Sequence, residues 1–159
     1  MNQDSLKLLL NYEPSTGVFT WKVSRGSVKP GKIANNRDKD GHVRIRVNGR
    51  LYFAHALAWL YMKGGWPVGE VDHIDLIKDN NAWSNLRLAT HQQNSHNQEA
   101  RRNNKLGVKG VCISQGRYEA KIEHRRKTIH LGRYITLEEA KAAYDEAASI
   151  LHGEFAKIA

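Results

Sequence analysis

The chain has almost no cysteine. Cys112 is the only one among 159 residues, which excludes an intramolecular disulfide and any zinc staple built from several thiolates. A lone thiol fits a reducing compartment. Long apolar runs are missing too. No stretch approaches the roughly 20 residues of a membrane-spanning helix, and the N-terminus lacks the apolar core of a secretion signal. A cytoplasmic protein with no membrane partner is expected. Acidic residues are scarce, 16 against 25 Lys and Arg, which leaves a formal charge of +9. In a small protein this excess points to a polyanionic partner, most often nucleic acid, although basic surfaces also occur on proteins that bind none. The length suits one ordinary domain or two small ones.

Residues 4–10 suit a short helix capped by Asp4 or Ser5. Pro14 and Ser15-Thr16-Gly17 mark a turn into a short strand ending at Trp21. Residues 24–41, rich in Gly, Lys, Asn and Asp, read as a loop. Residues 42–47 alternate as a strand, Asn48-Gly49 is the preferred dipeptide of a type I′ hairpin turn, and 51–54 return. Leu57, Leu60 and Tyr61 share one side of a helix over 55–62, which Gly64-Gly65 ends. Residues 70–74 form a strand, 75–85 a loop, 86–89 a second strand, and 90 to about 100 a helix with Thr90 and Gln93 placed for a capping box. The polar stretch Arg101-Arg102-Asn103-Asn104-Lys105 reads as a linker or as a helix end lying on phosphates. Three strands over 108–113, 118–123 and 128–134 precede a helix capped by Thr136 and running to residue 152. Its buried stripe is Leu137, Ala140, Ala143, Tyr144, Ala147 and Ala148.

The chemistry concentrates at Val71-Asp72-His73-Ile74-Asp75, followed by Asp79-Asn80-Asn81, Asn85-Leu86-Arg87, and a segment with His91, Asn94, His96 and Asn97. Carboxylate and amide oxygens are hard ligands that suit Mg²⁺ or Mn²⁺. An imidazole beside them takes a proton from water near neutral pH. These are the parts needed to hydrolyse a phosphodiester with one metal ion. Asp72-His73 alone would read as a turn carboxylate and a satisfied imidazole; the spacing of the whole series carries the signal.

With His55-Ala56-Leu57-Ala58-Trp59, that series over about 40–100 resembles an HNH endonuclease of the phage and homing type. The resemblance implies a ββα-metal fold and one divalent ion, Mg²⁺ or Mn²⁺, held by Asp72 and Asn94. It implies that His73 is the general base and that Asn85, the central Asn, holds the loop and fixes the His73 ring. Products with 5′-phosphate and 3′-hydroxyl follow from the same likeness. His91 is either an exposed helical residue or a contact to metal or phosphate. His55 either touches a phosphate or has a packing or capping role. Asp75 and Asp79 read as loop residues rather than ligands, and Trp59, Trp66 and Trp83 as packing rather than base-stacking platforms.

The last third carries a second resemblance. Gly107-Val108-Lys109-Gly110-Val111, the run from Gly116 to Ile122, Leu131-Gly132-Arg133-Tyr134, and the helix with Glu138-Glu139-Ala140 and Tyr144 to Ala148 are similar to the plant APETALA2/ethylene-responsive-factor DNA-binding domain. The match covers nearly all of 107–158. It implies a three-stranded sheet laid in the major groove of double-stranded DNA, with Lys109, Cys112, Lys121, Glu123, Thr128 and His130 on the outward face. Several of these differ from the Arg and Trp of plant members, so sheet docking carries over and the plant target sequence does not. Charge segregates in the same sense. Residues 101–133 hold ten Lys or Arg against Glu119 and Glu123, while the helix carries Glu138, Glu139, Asp145 and Glu146. The expected DNA contacts are Arg101, Arg102, Lys105, Lys109, Arg117, Lys121, Arg125 and Lys127.

The expectation is therefore an α+β chain: a ββα-metal HNH nuclease domain over 1–100, a basic linker over 101–106, and over 107–159 a small three-stranded antiparallel sheet packed on one helix. The expected function is metal-dependent cleavage of DNA by a phage or mobile-element homing-type nuclease. A non-catalytic DNA-binding regulator that retains the nuclease fold is the alternative, and an RNA-directed nuclease a second one.

Overall fold

A run of leucines with an asparagine ahead of it starts the fold. In the computed structural model, which describes residues 1–98, 100 and 104–157, Asn2 Oδ1 accepts the Ser5 N–H at 3.0 Å and α1, Gln3–Leu9, follows. The cap is thus Asn2, not Asp4 or Ser5, because its side chain is the one that reaches an unsatisfied N–H of the first turn. The chain divides into two compact units, Met1–His91 and Gln92–Ala159.

In the first unit, α1 passes at Leu10 into β1, Leu10–Glu13, which pairs antiparallel with β2, Val18–Trp21. The register sets Leu10 opposite Trp21 and Tyr12 opposite Phe19, all four buried. Residues 24–41 hold more than a loop: β3, Asn36–Arg37, pairs with β4, Val43–Val47, and Thr20 bridges to Ile33. Asn48 and Gly49, with φ of 49° and 78°, turn β4 into β5, Arg50–Phe53, as a type I′ hairpin requires. α2, Ala54–Lys63, is rich in the strong helix formers Ala and Leu and ends at left-handed Gly64. It buries Ala54, Leu57, Ala58 and Leu60 against Leu6, Leu10, Phe19, Ile45 and Val47. Each large side chain in that core contributes roughly 1.5–3 kcal/mol by leaving water. Leu86 joins the same core and anchors the second hairpin, β6, Glu70–His73, with β7, Leu86–Ala89.

The β1–β2 turn is clamped onto the long loop between β6 and β7. Tyr12 donates its hydroxyl to the Asn81 carbonyl at 2.7 Å, and the Trp83 N–H donates to the Pro14 carbonyl at 2.8 Å. Gly17 has φ of 73°, and a Cβ there would lie 2.1 Å from the carbonyl carbon of Asn81. Only glycine permits both that conformation and that approach.

α3, His91–Asn97, lies at the division, with all but its first residue in the second unit. It is shorter than the 90–100 expected, for a reason visible in His-Gln-Gln-Asn-Ser-His-Asn. None of these side chains is apolar, so no hydrophobic stripe extends the helix. The second unit continues with β8, Val111–Ser114, β9, Arg117–His124, and β10, Lys127–Tyr134, an antiparallel sheet in the order β10-β9-β8. α4, Leu137–His152, opens with the expected Thr136 cap and a capping box to Glu139. Val111, Ala120 and Ile122 pack against Ala140, Tyr144 and Ala148; Leu137, Ala143 and Ala147 of the expected stripe are half-buried. β8 begins later than expected because 104–110 folds into a turn, in which Asn104 Nδ2 donates to the Val108 carbonyl at 2.6 Å and Oδ1 accepts from Leu106 N–H at 3.0 Å. The architecture is α+β, small antiparallel sheets packed on helices. Among the described residues no helix is long and apolar enough to cross a membrane.

Gly17→Ala is expected to cost clearly more stability in urea unfolding than Gly49→Ala. Both sites have positive φ, which alone costs about 1 kcal/mol, but a Cβ at Gly49 meets nothing within 4 Å. Equal losses would mean that the Gly17–Asn81 approach does not hold in solution.

Candidate active site

β6 buries two consecutive polar residues, Asp72 and His73, at 4 % and 6 % exposure. Buried polar groups need partners. For His73 the partner is Asn81: its Nε2 lies 3.1 Å from Asn81 Oδ1. The Asn81 amide has one orientation available, because its Nδ2 donates to the Asp79 carbonyl at 3.1 Å. Its oxygen therefore faces the imidazole and accepts, which assigns the hydrogen of the neutral ring to Nε2 and its lone pair to Nδ1. Asn81 is itself 2 % exposed and held by Tyr12.

Asn85 stands on a 3-10 turn, Trp83–Asn85, and ties the loop rather than the ring. Its Nδ2 donates to Asp75 Oδ1 and to the Asn80 carbonyl, both at 2.8 Å, and its Oδ1 accepts the Asp75 N–H at 3.1 Å. Asn80 Nδ2 closes the network on Asp75 Oδ2 at 2.6 Å. Burial pushes the Asp75 carboxyl up, but bonds from Asn80, the Ile77 N–H and Asn85 bring it below its usual value. The expectation that Asn85 fixes the His73 ring is thus corrected: Asn81, one of three consecutive Asp-Asn-Asn residues, makes that bond.

Asp72 sits directly across the hairpin from Arg87. Arg87 Nε and Nη2 both reach Asp72 Oδ2 at 2.9 Å, a charge-assisted contact in a nearly dry setting. Around His73 the rings of His55 and His42 lie at centroid distances of 5.1 and 6.4 Å. His55 stacks on Phe53 at 5.1 Å, and burial, with the neighbouring His73 and His42, drives its pKa down to about 3. At neutral pH its ring is uncharged and packed on Phe53. His91 is exposed and its Nδ1 meets Glu70 Oε1 at 2.8 Å.

The HNH endonuclease family model matches residues 52–96. Protein 3.8 of Escherichia phage T7 is 34 % identical over 111 residues, which is 65 % of this chain and 88 % of that protein. The chain belongs to the HNH endonuclease family. An uncharacterised HNH endonuclease, L560, of Acanthamoeba polyphaga mimivirus is 45 % identical over 86 residues, 54 % of this chain and 44 % of the viral protein. The DNA endonuclease I-HmuI of Bacillus phage SP01 is 33 % identical over 109 residues, 65 % of this chain and 59 % of the phage protein. The chain thus spans about half the length of these last two relatives. A solved structure of DNA binding and cleavage by I-HmuI aligns with a TM-score of 0.46 at 29 % identity, over 62 % of this chain and 56 % of that one.

The three letters of the HNH motif as read from the sequence fall on β6 (His73), on the 3-10 turn (Asn85) and on α3 (Asn94, half-buried). Asp72 offers carboxylate and Asn94 amide oxygen, a donor chemistry that fits Mg²⁺ or Mn²⁺. Among the described residues no group of three or more His, Cys, Asp or Glu is placed to hold a metal.

The expected DNA contacts separate on inspection. Arg101 and Arg102 lie outside the described residues. Lys105, Arg117, Arg125 and Lys127 are exposed. Lys121 is half-buried on the sheet face with its Nζ 3.1 Å from Glu119 Oε2, and His130 Nε2 reaches the same carboxylate at 2.8 Å. The bond from Lys121 lowers the Glu119 pKa. The expectation that Lys109 is an outward residue of the sheet is corrected. It precedes β8, and its Nζ donates to the carbonyls of Ser95, His96 and Gln98 at 3.0, 2.8 and 2.8 Å.

Sequence reasoning placed the positive excess in 101–133 and missed a second concentration. Lys22, Arg25, Lys29, Lys32, Arg37, Lys39, Arg44, Arg46 and Arg50 stand against Asp38 and Asp40 over 22–50. Arg25, Lys32, Arg37, Arg44 and Arg46 line one groove with Trp21. Arg37 also pairs with Asp79 of the catalytic loop. A charge count over that window would have found it.

The side chains around His73 predict its tautomer. In ¹⁵N–¹H correlation spectra of the neutral ring, His73 should carry hydrogen on Nε2, and Asn81→Ala should release that preference. A wild-type ring protonated at Nδ1 would contradict the hydrogen-bond assignment.

Proposed function

We propose that this chain is a divalent-metal-dependent DNA endonuclease of the phage or mobile-element homing type, and that its C-terminal unit adds affinity for double-stranded DNA. The observation that supports it best is the Asn81 amide beside the His73 ring, its Nδ2 held on the Asp79 carbonyl and its backbone on the Tyr12 hydroxyl. A general base needs a lone pair at a fixed place, and Nδ1 has it. His73 takes a proton from water; the water oxygen attacks phosphorus and the bond to the 3′ oxygen breaks. A 5′-phosphate remains, and a 3′-hydroxyl forms as that oxygen takes a proton from solvent. Asp72 and Asn94 would hold Mg²⁺ or Mn²⁺, an assignment supported by motif order along the chain. A bound ion supplies neutralisation of phosphate charge. Asn85 keeps the Asp75–Asn80 loop closed under the imidazole.

The basic groove beside Trp21 supports phosphate binding by the nuclease unit itself. In the C-terminal unit, APETALA2-like in sequence, Arg125 and Arg126 adopt φ of 50° and 62° at the β9–β10 turn. Asn-Gly would hold a type I′ turn with less strain. Strained residues concentrate at functional positions, and this turn presents two guanidinium groups beside the Lys127 ammonium.

Plasmid nicking with Mg²⁺ or Mn²⁺ against EDTA tests the reading. His73→Ala should cut about 10²-fold more slowly or worse, with DNA affinity unchanged. Wild-type rates from that variant would remove His73 from the chemistry. DNA binding without any nicking would make the chain a regulator.

Replacing Arg125-Arg126 with Asn-Gly separates the two contributions of that turn. Strain relief should raise stability by about 1 kcal/mol or more. DNA affinity should fall, and the slope of log affinity against log salt should shrink by about 2, one per lost phosphate contact. A stabilised variant with an unaltered salt slope would show that the arginines do not meet DNA.

A further inference from the structure

α3 has little of its own to hold it together. It is two turns long, is composed of residues that are poor helix formers apart from its glutamines, and buries only Asn97. Helices of this length are marginal without tertiary support. Support comes from two places in the second unit. The Lys109 ammonium has three N–H donors, and all three meet backbone carbonyls of 95–98 at 2.8–3.0 Å. These are the carbonyls that a helix leaves unsatisfied at its C-terminus, where the backbone dipole also favours a cation. The His96 ring stacks on His152, with centroids 3.5 Å apart and planes 13° apart.

Both supports are rigid. Lys109 stands between Val108, which is buried, and Gly110, which has φ of 70° and abuts the Tyr144 ring so closely that a Cβ would lie 2.1 Å from it. The Gly110 carbonyl accepts from Lys121 N–H at 2.8 Å, and Asn104 pins the loop ahead. His152, at the end of α4, has its Nε2 3.1 Å from the Glu123 carbonyl on β9. Burial lowers the Lys109 pKa, the mark of an ammonium taken out of water.

We infer that Lys109 is a positioning residue for the nuclease: it fixes α3, and with it Asn94, so that the APETALA2-like unit completes the metal-holding helix besides contacting DNA. The inference rests on the reading of Asn94 as a metal ligand.

The test uses the full chain without DNA. Lys109→Met keeps the stem and removes the donors. Its Mn²⁺ dissociation constant, read by electron paramagnetic resonance, should rise about 10- to 100-fold, the usual effect of losing a group that orients a metal ligand. Amide hydrogen exchange over 92–98 should accelerate, DNA affinity should hold, and Lys109→Arg should recover most of the metal binding. Should Lys109→Met not fold, His152→Ala removes the stacking partner of His96 and carries the same expectations. Unchanged exchange in 92–98 overturns the proposal. So does a fall in DNA affinity and salt slope with metal binding intact, which would return Lys109 to phosphate contact. If the wild type binds no Mn²⁺, the metal reading is lost; exchange rates then decide alone whether Lys109 holds α3.

Discussion

The geometry of the candidate site depends on how one side-chain amide is held. Asn81 has two faces that differ only in which atom is nitrogen. Reversed, it would offer N–H to His73 and move the imidazole's lone pair to the other side of the ring. The Asp79 carbonyl selects one orientation, the Tyr12 hydroxyl fixes the backbone, and the missing side chain at Gly17 lets the β1–β2 turn close on both. A buried polar group that loses its partner costs about 1–3 kcal/mol. The cluster is therefore stable as a whole and poorly stable in part. The hairpin that opens the chain is in this sense a component of a site that begins some fifty residues later.

Much of this can be read from the residues, and the limit has a physical form. The Asn48-Gly49 turn, the Gly64 stop, the Thr136 cap and the Val111/Ala120/Tyr144 core follow from local rules of conformation and periodicity, and the sequence carries them openly. Asp72-His73 followed by Asn85 and Asn94 is legible as a spaced series. What the sequence hides are contacts between distant residues whose types are ambiguous. Nothing in Asp79-Asn80-Asn81 says which asparagine meets the imidazole, and nothing in Lys109 says that its ammonium turns toward 95–98. The expected helix over 90–100 overruns the short, wholly polar α3, because polarity reads as exposure when the helix is in fact held by polar bonds at its end.

Positive charge in this protein has three separate uses. On the groove beside Trp21 and at the β9–β10 turn it faces solvent. At Arg87 and Lys109 it is spent internally, against one carboxylate and three carbonyls. Lys121 is divided between the sheet face and Glu119. Formal charge therefore overstates the field available to a polyanion, and the useful count is of cations without an internal acceptor.

The Asp72–Arg87 pair has a consequence for how the protein would meet a metal ion. Many small metal sites are collections of repelling anions that fold only once the metal arrives. Here the buried carboxylate already faces a guanidinium across the hairpin, so its charge is balanced before any ion is present. On the proposed reading, folding and loading would thereby be uncoupled, and an ion would stabilise the native state only by mass action, according to its concentration relative to its dissociation constant. Under the proposed chemistry, such a protein can be made and stored metal-free, fully folded and silent, and is switched on by the ion content of its surroundings.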